Sequence, residues 1–201
     1  MSEILKNNFV LIGSGGHASV VASLSRMIGI NIRFIAVLEA KSVQNPIPNV
    51  EYLVDDELIN ISSKREYVLL NGIGQKIGCN LRAAVFQKFK NLGFEFQKTV
   101  HPFSFVDPSS KVSEGAQVMA GAVIQNDCLI GENSIINTNS SIDHGSQIGS
   151  SCHVAPGAVV CGDVFIGDNC FIGAGAIITE GTKLAENTTV KARQVVNCKK
   201  I

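Results

Sequence analysis

The sequence predicts an α/β domain over residues 1–100 followed by an all-β parallel solenoid over residues 101–201. Three observations carry that prediction: an aliphatic residue at every sixth position through most of the second half, a register of small residues locked to it, and a Gly-rich turn directly after a short apolar run near the start. The first two describe coils with one large and one small side chain pointing inward. The third marks a parallel strand feeding a helix.

Composition bounds the possibilities. The 201 residues are 45% hydrophobic, enough to build a core in each of two modest domains. Formal charge is zero and Lys and Arg form no dense block, Lys199-Lys200 being a solvated tail, so nucleic acid is excluded as a partner. Met1 to Asn8 is polar and no apolar run approaches the ~20 residues that span a bilayer, so no membrane insertion is expected and the cytoplasm is the expected compartment. Cys79, Cys128, Cys152, Cys161, Cys170 and Cys198 never form a C-x-x-C pair, which points to plain thiols in a reducing compartment and to no metal.

In the first domain Phe9 to Ile12 reads as a buried strand, followed at once by Gly13-Ser14-Gly15-Gly16-His17-Ala18 and a helix to about Ile28. Glycines are placed there because the amides of a helix N-terminus can approach an anionic phosphate only where no side chain intervenes. Gly15, Gly16 and His17 are therefore candidate phosphate contacts. Strands near Phe34 to Leu38 and Tyr67 to Leu70 complete a small Rossmann-like parallel sheet. Asn71-Gly72-Ile73-Gly74 follows the third, and a helix from about Asn80 to Asn91 carries Leu81, Val85, Phe86 and Phe89 on one side. Three strands are too few to hold both halves of a dinucleotide, which argues against a dehydrogenase.

In the second domain fifteen positions spaced by six, from Val106 to Val190, are all aliphatic. Four residues after them lie Ala116, Ala122, Cys128, Ser134, Ser140, Ser146, Cys152, Ala158, Val164, Cys170 and Ala176, nearly all small. Cys128, Cys152 and Cys170 are thus packing groups. Three residues after the aliphatic register come Gly115, Gly121, Asp127, Asn133, Asn139, Gly145, Gly157, Asp163, Asn169, Gly175, Gly181 and Asn187, types that tolerate positive φ. Short strand, corner, short strand, three hexads to a coil, gives a triangular β-helix of roughly five coils ~4.8 Å apart.

The G-x-G-G-H turn, N-G-I-G after the third strand, Thr99-Val100-His101-Pro102 and an unbroken hexapeptide domain containing Ile142-Asp143-His144 resemble the bacterial sugar acyltransferases over almost the whole chain. More narrowly, the chain resembles the group containing sialic acid O-acetyltransferases (NeuD type) and N-acetyltransferases of nucleotide-linked amino sugars (PglD and perosamine types). The resemblance implies a left-handed β-helix, a homotrimer, acetyl-CoA as cosubstrate in a groove between adjacent β-helices, and a nucleotide sugar on the N-terminal domain. It also implies that His144 is the general base, that Asn137 and His17 contact sugar or phosphate, and that His153, Ala174 and Ala192 contact acetyl-CoA. Gly74 and Glu39 fall at the nucleotide site, Leu38-Glu39 standing where relatives carry an acidic pair.

The residues themselves agree in part. His144 stands two positions after an inward Ile142 and so leaves the core at a corner, with Gly162 one coil away leaving room beside the ring and standing with His153, Ala174 and Ala192 as a candidate acetyl-CoA contact. Imidazole titrates nearest neutrality and can take a proton from an amine or hydroxyl attacking a thioester. Gly145 replaces the acid that commonly follows the histidine, leaving Asp143 as the near candidate to orient it. The expectation is an acetyl-CoA-dependent N-acetyltransferase acting on a nucleotide-linked amino sugar, such as a UDP-4-amino-sugar, in bacterial glycan biosynthesis. Two other readings are compatible with the sequence: a sialic acid O-acetyltransferase, and a non-catalytic β-helix scaffold.

Overall fold

The computed structural model describes residues 8–37, 50–60 and 66–197. They divide into two compact units, one running up to Gly74 and including Leu81–Gln97, the other comprising Gln75–Asn80 and the chain from Lys98 onward.

The first unit is a five-stranded, wholly parallel sheet in the order β3-β2-β1-β4-β5, where β1 is Asn8–Ile12, β2 Ile32–Val37, β3 Glu51–Val54, β4 Tyr67–Asn71 and β5 Glu95–Phe96. Val10, Leu11, Ile35, Leu69 and Leu70 are fully buried, as continuous apolar runs in a covered parallel sheet should be. The three-strand expectation is too small by two. Both extra strands are edges, β3 half-buried and β5 two residues long, and neither carries an apolar run that could announce it.

Helix α1 (Gly16–Met27) follows β1, α2 (Asp55–Ile59) follows β3, and α3 (Leu81–Asn91) follows β4. α3 buries Val85, Phe86 and Phe89 as its spacing predicts, with Phe86 against Phe96 and Phe89 edge-on to Phe94. Leu81 is exposed, however, and Arg82 is buried in its stead. The reason lies in the preceding loop: one guanidinium nitrogen of Arg82 donates to the carbonyls of Asn71 and Ile73, at 3.1 and 2.6 Å. Burial pushes that guanidinium down to about 9.

The second unit is a parallel β-helix of seventeen two-residue strands, from Thr99–Val100 to Val195–Val196, stacked into three sheets of six, five and six. Val100 and Val196 extend the aliphatic register by one step at each end, so the stack exceeds five coils. All twelve predicted corner residues have positive φ, Asp127 at 59° and Gly145 at 67° among them. Ser151 and Arg193, in the same register but of less tolerant type, are held at 53° and 58° by the stack, each donating its N–H to the preceding coil, at the Glu132 and Ala174 carbonyls.

The small inward register does more than fill space. Ser134 and Ser146 donate hydroxyl bonds of 2.7 and 2.9 Å to Gly149 and Cys161 carbonyls, and the thiols of Cys128, Cys152 and Cys170 reach Asp143, Gly167 and Ala185 carbonyls at 3.1–3.2 Å. Each satisfies a corner carbonyl fifteen residues on, which is why hydroxyl and thiol alternate with Ala there. Burial pushes the Cys128 thiol up, consistent with a packing role.

Candidate functional site

In the first unit the sheet changes direction between β1 and β4, because the chain moves outward from β1 through β2 and β3 and then returns to the other side of β1. At such a point the loops beyond the strand C-termini diverge and leave a crevice. The loops here are Gly13–Gly15 and Asn71–Gly74. Gly13, at φ 89°, donates to the Ala36 carbonyl at 2.7 Å and faces Ile73. Gly74 lies against the His17 Cβ.

The turn, His17 and Gly74 therefore lie close together. Gly15 caps α1 with extended backbone and no side-chain hydrogen bond, and nothing lies within 4 Å of where a Cβ on Gly15 or Gly16 would stand. That leaves open space in front of a helix N-terminus. Glu39 lies outside the described residues.

Gly72 has a different reason to be glycine. A Cβ there would stand 2.6 Å from the Ile12 carbonyl oxygen and 2.8 Å from the Ala18 Cβ, both fixed parts of the sheet and helix. The adjoining loop is pinned from behind: the buried Asn71 accepts the Ile73 N–H at 3.1 Å while Arg82 holds two of its carbonyls. Gly72→Ala is expected to lower unfolding free energy by about 2 kcal/mol or more, read from the denaturant midpoint.

In the second unit the predicted residues fall on two different corners of the triangle. Ile142 and Val160 are paired neighbours one coil apart, which puts His144 and Gly162 in one corner column. Val154, Ile172 and Val190 stack on another sheet, which puts Ala174 and Ala192 in a second column, with Asn137 at the same corner. Both alanines are exposed. One chain thus joins Asn137 to His153 and Ala174 to Ala192, but does not bring His144 to either pair.

The imidazole of His144 is exposed and lies flat over Gly162, where a Cβ would collide with Cε1, Nε2 and Nδ1. Asp143 Oδ1 accepts the backbone N–H of His144 at 2.9 Å, so this carboxylate fixes the main chain at the residue. Among the described residues neither ring nitrogen of His144 has a hydrogen-bond partner. Gly145 has a steric reason: at φ 67° its missing side chain would run into the Asp163 Oδ1 of the next coil.

At the second corner the Asn137 Oδ1 accepts the Thr138 backbone N–H at 2.8 Å, which orients the amide. Its Nδ2 then faces His153 Nε2 at 3.0 Å, so that ring nitrogen accepts. The ring stands edge-on to Phe171 with centroids 5.0 Å apart. Sequence reasoning missed an open cleft of about 480 Å³ lined by Gly145, Gln147, Asp163, Val164, Phe165 and Lys183. Among the described residues no group of three His, Cys, Asp or Glu could hold a metal, and no helix is long and apolar enough to cross a membrane.

Comparison with known proteins places this geometry. The bacterial transferase hexapeptide (six repeats) family matches residues 127–162, and the hexapeptide repeat of succinyl-transferase matches residues 163–197. No curated protein matches the chain. A histidine-to-asparagine mutant of perosamine N-acetyltransferase from Caulobacter crescentus, in complex with CoA and GDP-perosamine, is 32% identical with a TM-score of 0.85, covering 94% of this chain and 88% of that one. The acetyltransferase domain of PglB from Neisseria gonorrhoeae FA1090 is 28% identical with a TM-score of 0.84, over 96% of this chain and 92% of that one. The same domain in complex with acetyl coenzyme A is 26% identical with a TM-score of 0.82, over 96% and 93%. With a relative of that identity matched over nearly its whole length, and hexapeptide families matched across the coils that carry His144, the chain belongs to the hexapeptide-repeat bacterial sugar acetyltransferases.

Proposed function

We propose that the protein transfers the acetyl group of acetyl-CoA to the amine of a nucleotide-linked amino sugar, in bacterial glycan biosynthesis, by direct attack with His144 as general base. The observation that carries this reading is the His144 imidazole, exposed, without a hydrogen-bond partner among the described residues and seated over Gly162. CoA and GDP-perosamine in the similar perosamine N-acetyltransferase, and acetyl coenzyme A in the similar PglB domain, support the two substrates.

His144 takes a proton from the acceptor ammonium. The freed amine attacks the thioester carbonyl, the N–C bond forms, the C–S bond breaks, and proton transfer completes the amide and free CoA thiol. Asn137, whose amide has a second N–H beyond the one facing His153, contacts the acceptor sugar or its phosphate, and backbone amides or His153 stabilise the oxygen that becomes anionic. Residues 1–100 hold the nucleotide through Gly15, Gly16, His17 and Gly74, and residues 101–201 supply the acetyl-CoA groove through Ala174, Ala192 and His153. Asp143 is a positioning residue for His144.

A homotrimer in the cytoplasm completes the proposal. The separation of His144 from Ala174 and Ala192 on different corners supports it, since a second copy would supply the missing half of the site. So does an outward column on one sheet in which Phe105, Val159, Ile177 and Val195 are exposed and apolar, with the half-buried Val123 and Ser141 between the first two. The free thiols suit a reducing compartment.

Acceptors can be screened by following CoA release with acetyl-CoA present, using UDP-, GDP- and dTDP-linked amino sugars beside free and activated sialic acids. An amino-sugar nucleotide is expected to accelerate release. Acceleration by sialic acids alone would move the enzyme to O-acetylation, and acceleration by none would overturn the reading.

A further inference from the structure

We propose that Glu180 is the positioning residue for the ring of His144, its carboxylate hydrogen-bonding the imidazole and stabilising the imidazolium that forms when the ring takes a proton. The inference rests on the reading of His144 as general base.

The corner that carries His144 recurs every eighteen residues. Ile142, Val160 and Ile178 pair in register along one sheet. The main chain continues the stack past the corner, Asp163 donating to the His144 carbonyl at 2.9 Å and Gly181 to the Gly162 carbonyl at 3.0 Å. His144, Gly162 and Glu180 therefore form one column, each two residues beyond an inward aliphatic. The middle member has no side chain, and the His144 ring fills the place where one would stand. The ring is thus tipped along the column, toward Glu180.

The two side chains span the gap. Two coil steps separate their Cα atoms by roughly 10 Å. An imidazole carries its far nitrogen, and a glutamate its carboxylate oxygens, about 4.5 Å from Cα, judged from covalent dimensions. A charge-assisted hydrogen bond adds about 2.8 Å, so the pair closes with some slack. A side chain on residue 162 would stand in the way.

The other acids of this corner are turned to other work. Asp107 accepts from Ser109 at 2.7 and 2.9 Å, Asp127 from the Asn126 amide at 2.9 Å, and Asp143 from the main-chain N–H of His144 at 2.9 Å. Asp163 turns its Oδ1 back over Gly145. Glu180 is exposed and, among the described residues, holds neither a hydrogen bond nor an ion pair. Asp143 thus fixes the main chain at His144 and leaves the ring to Glu180. A carboxylate against an imidazole raises its basicity and sets which nitrogen carries the proton.

The test uses the full chain with Glu180→Gln and Glu180→Asp. Asp143, Asp163 and Lys183, which also bear charge near this corner, are the same in every protein compared. With four histidines in the chain, the His144 ring resonance is assigned by its loss in His144→Ala and titrated without substrate. Glu180→Gln is expected to lower the midpoint of that ring by about half a pH unit, and Glu180→Asp by less. The acid limb of kcat/KM should move the same way, to lower pH, because the carboxylate that favoured the protonated ring is gone. Glu180→Gln should also lower kcat about tenfold, leave KM for acetyl-CoA unchanged, and add nothing to His144→Ala.

An unmoved midpoint or an unchanged kcat in Glu180→Gln, with His144→Ala inactive, would overturn the assignment and leave His144 as the base. A further loss when Glu180→Gln is added to His144→Ala would overturn it as well, since Glu180 would then act without the ring. Normal turnover by His144→Ala would remove the base and its partner together.

Discussion

His144→Ala is expected to lower kcat about a thousandfold while acetyl-CoA binds within twofold of its original affinity. The argument is one of chemistry and of isolation. The ring is exposed, and among the described residues it holds neither a hydrogen bond nor an ion pair, so deleting it removes no support from the fold. What goes is the group that takes the proton. His144→Asn, which keeps the bulk and loses the basicity, should fall as far. Turnover near the original in either variant, measured as CoA released by saturating acceptor, would take this residue out of the mechanism.

Gly162→Ala comes next in size, and it probes position instead of basicity. A methyl there would occupy the space of the His144 ring, contacting Cε1, Nε2 and Nδ1 together. The backbone at Gly162 is not in the left-handed region, and the ring can swing into water, so stability should change by less than about 1 kcal/mol. Catalysis should not be spared, because a base moved by an ångström or more loses alignment; kcat should drop about a hundredfold. Full activity in a well-folded Gly162→Ala protein would mean that the ring acts from some other position. The two substitutions together should be no worse than His144→Ala alone, since they remove the same contribution.

Much of the β-helix was legible because a solenoid is one-dimensional. Each hexad repeats the same demands on volume and φ, so Ile142 or Asn133 declares its place through its neighbours six and eighteen residues away. Ser151 and Arg193 escaped because their side chains give no sign of a left-handed turn, and only the stack forces it. The small α/β unit was less transparent. β3 and β5 are short edges whose pairing is set by the sheet beside them, and α3 turns Arg82 inward, against its polarity, to hold the carbonyls of a loop.

Of the site, His17, Gly74 and the turn glycines were readable from motif and came together in one crevice. The open cleft lined by Asp163, Phe165 and Lys183 was not, since its residues face outward from two adjacent coils and periodicity says nothing of what faces water. Gly145 looked like the loss of an acid and proves to be the room taken by another one.

The central claim is that the imidazole at residue 144 stands where acceptor nitrogen and thioester meet. A crystal of the His144→Asn protein with CoA and a nucleotide-linked amino sugar tests it most directly. The account predicts the sugar nitrogen within hydrogen-bond reach of the residue-144 side chain, about 3 Å, with the CoA sulfur beside it. A sulfur or a sugar nitrogen lying at another corner of the triangle, away from that side chain, would contradict it.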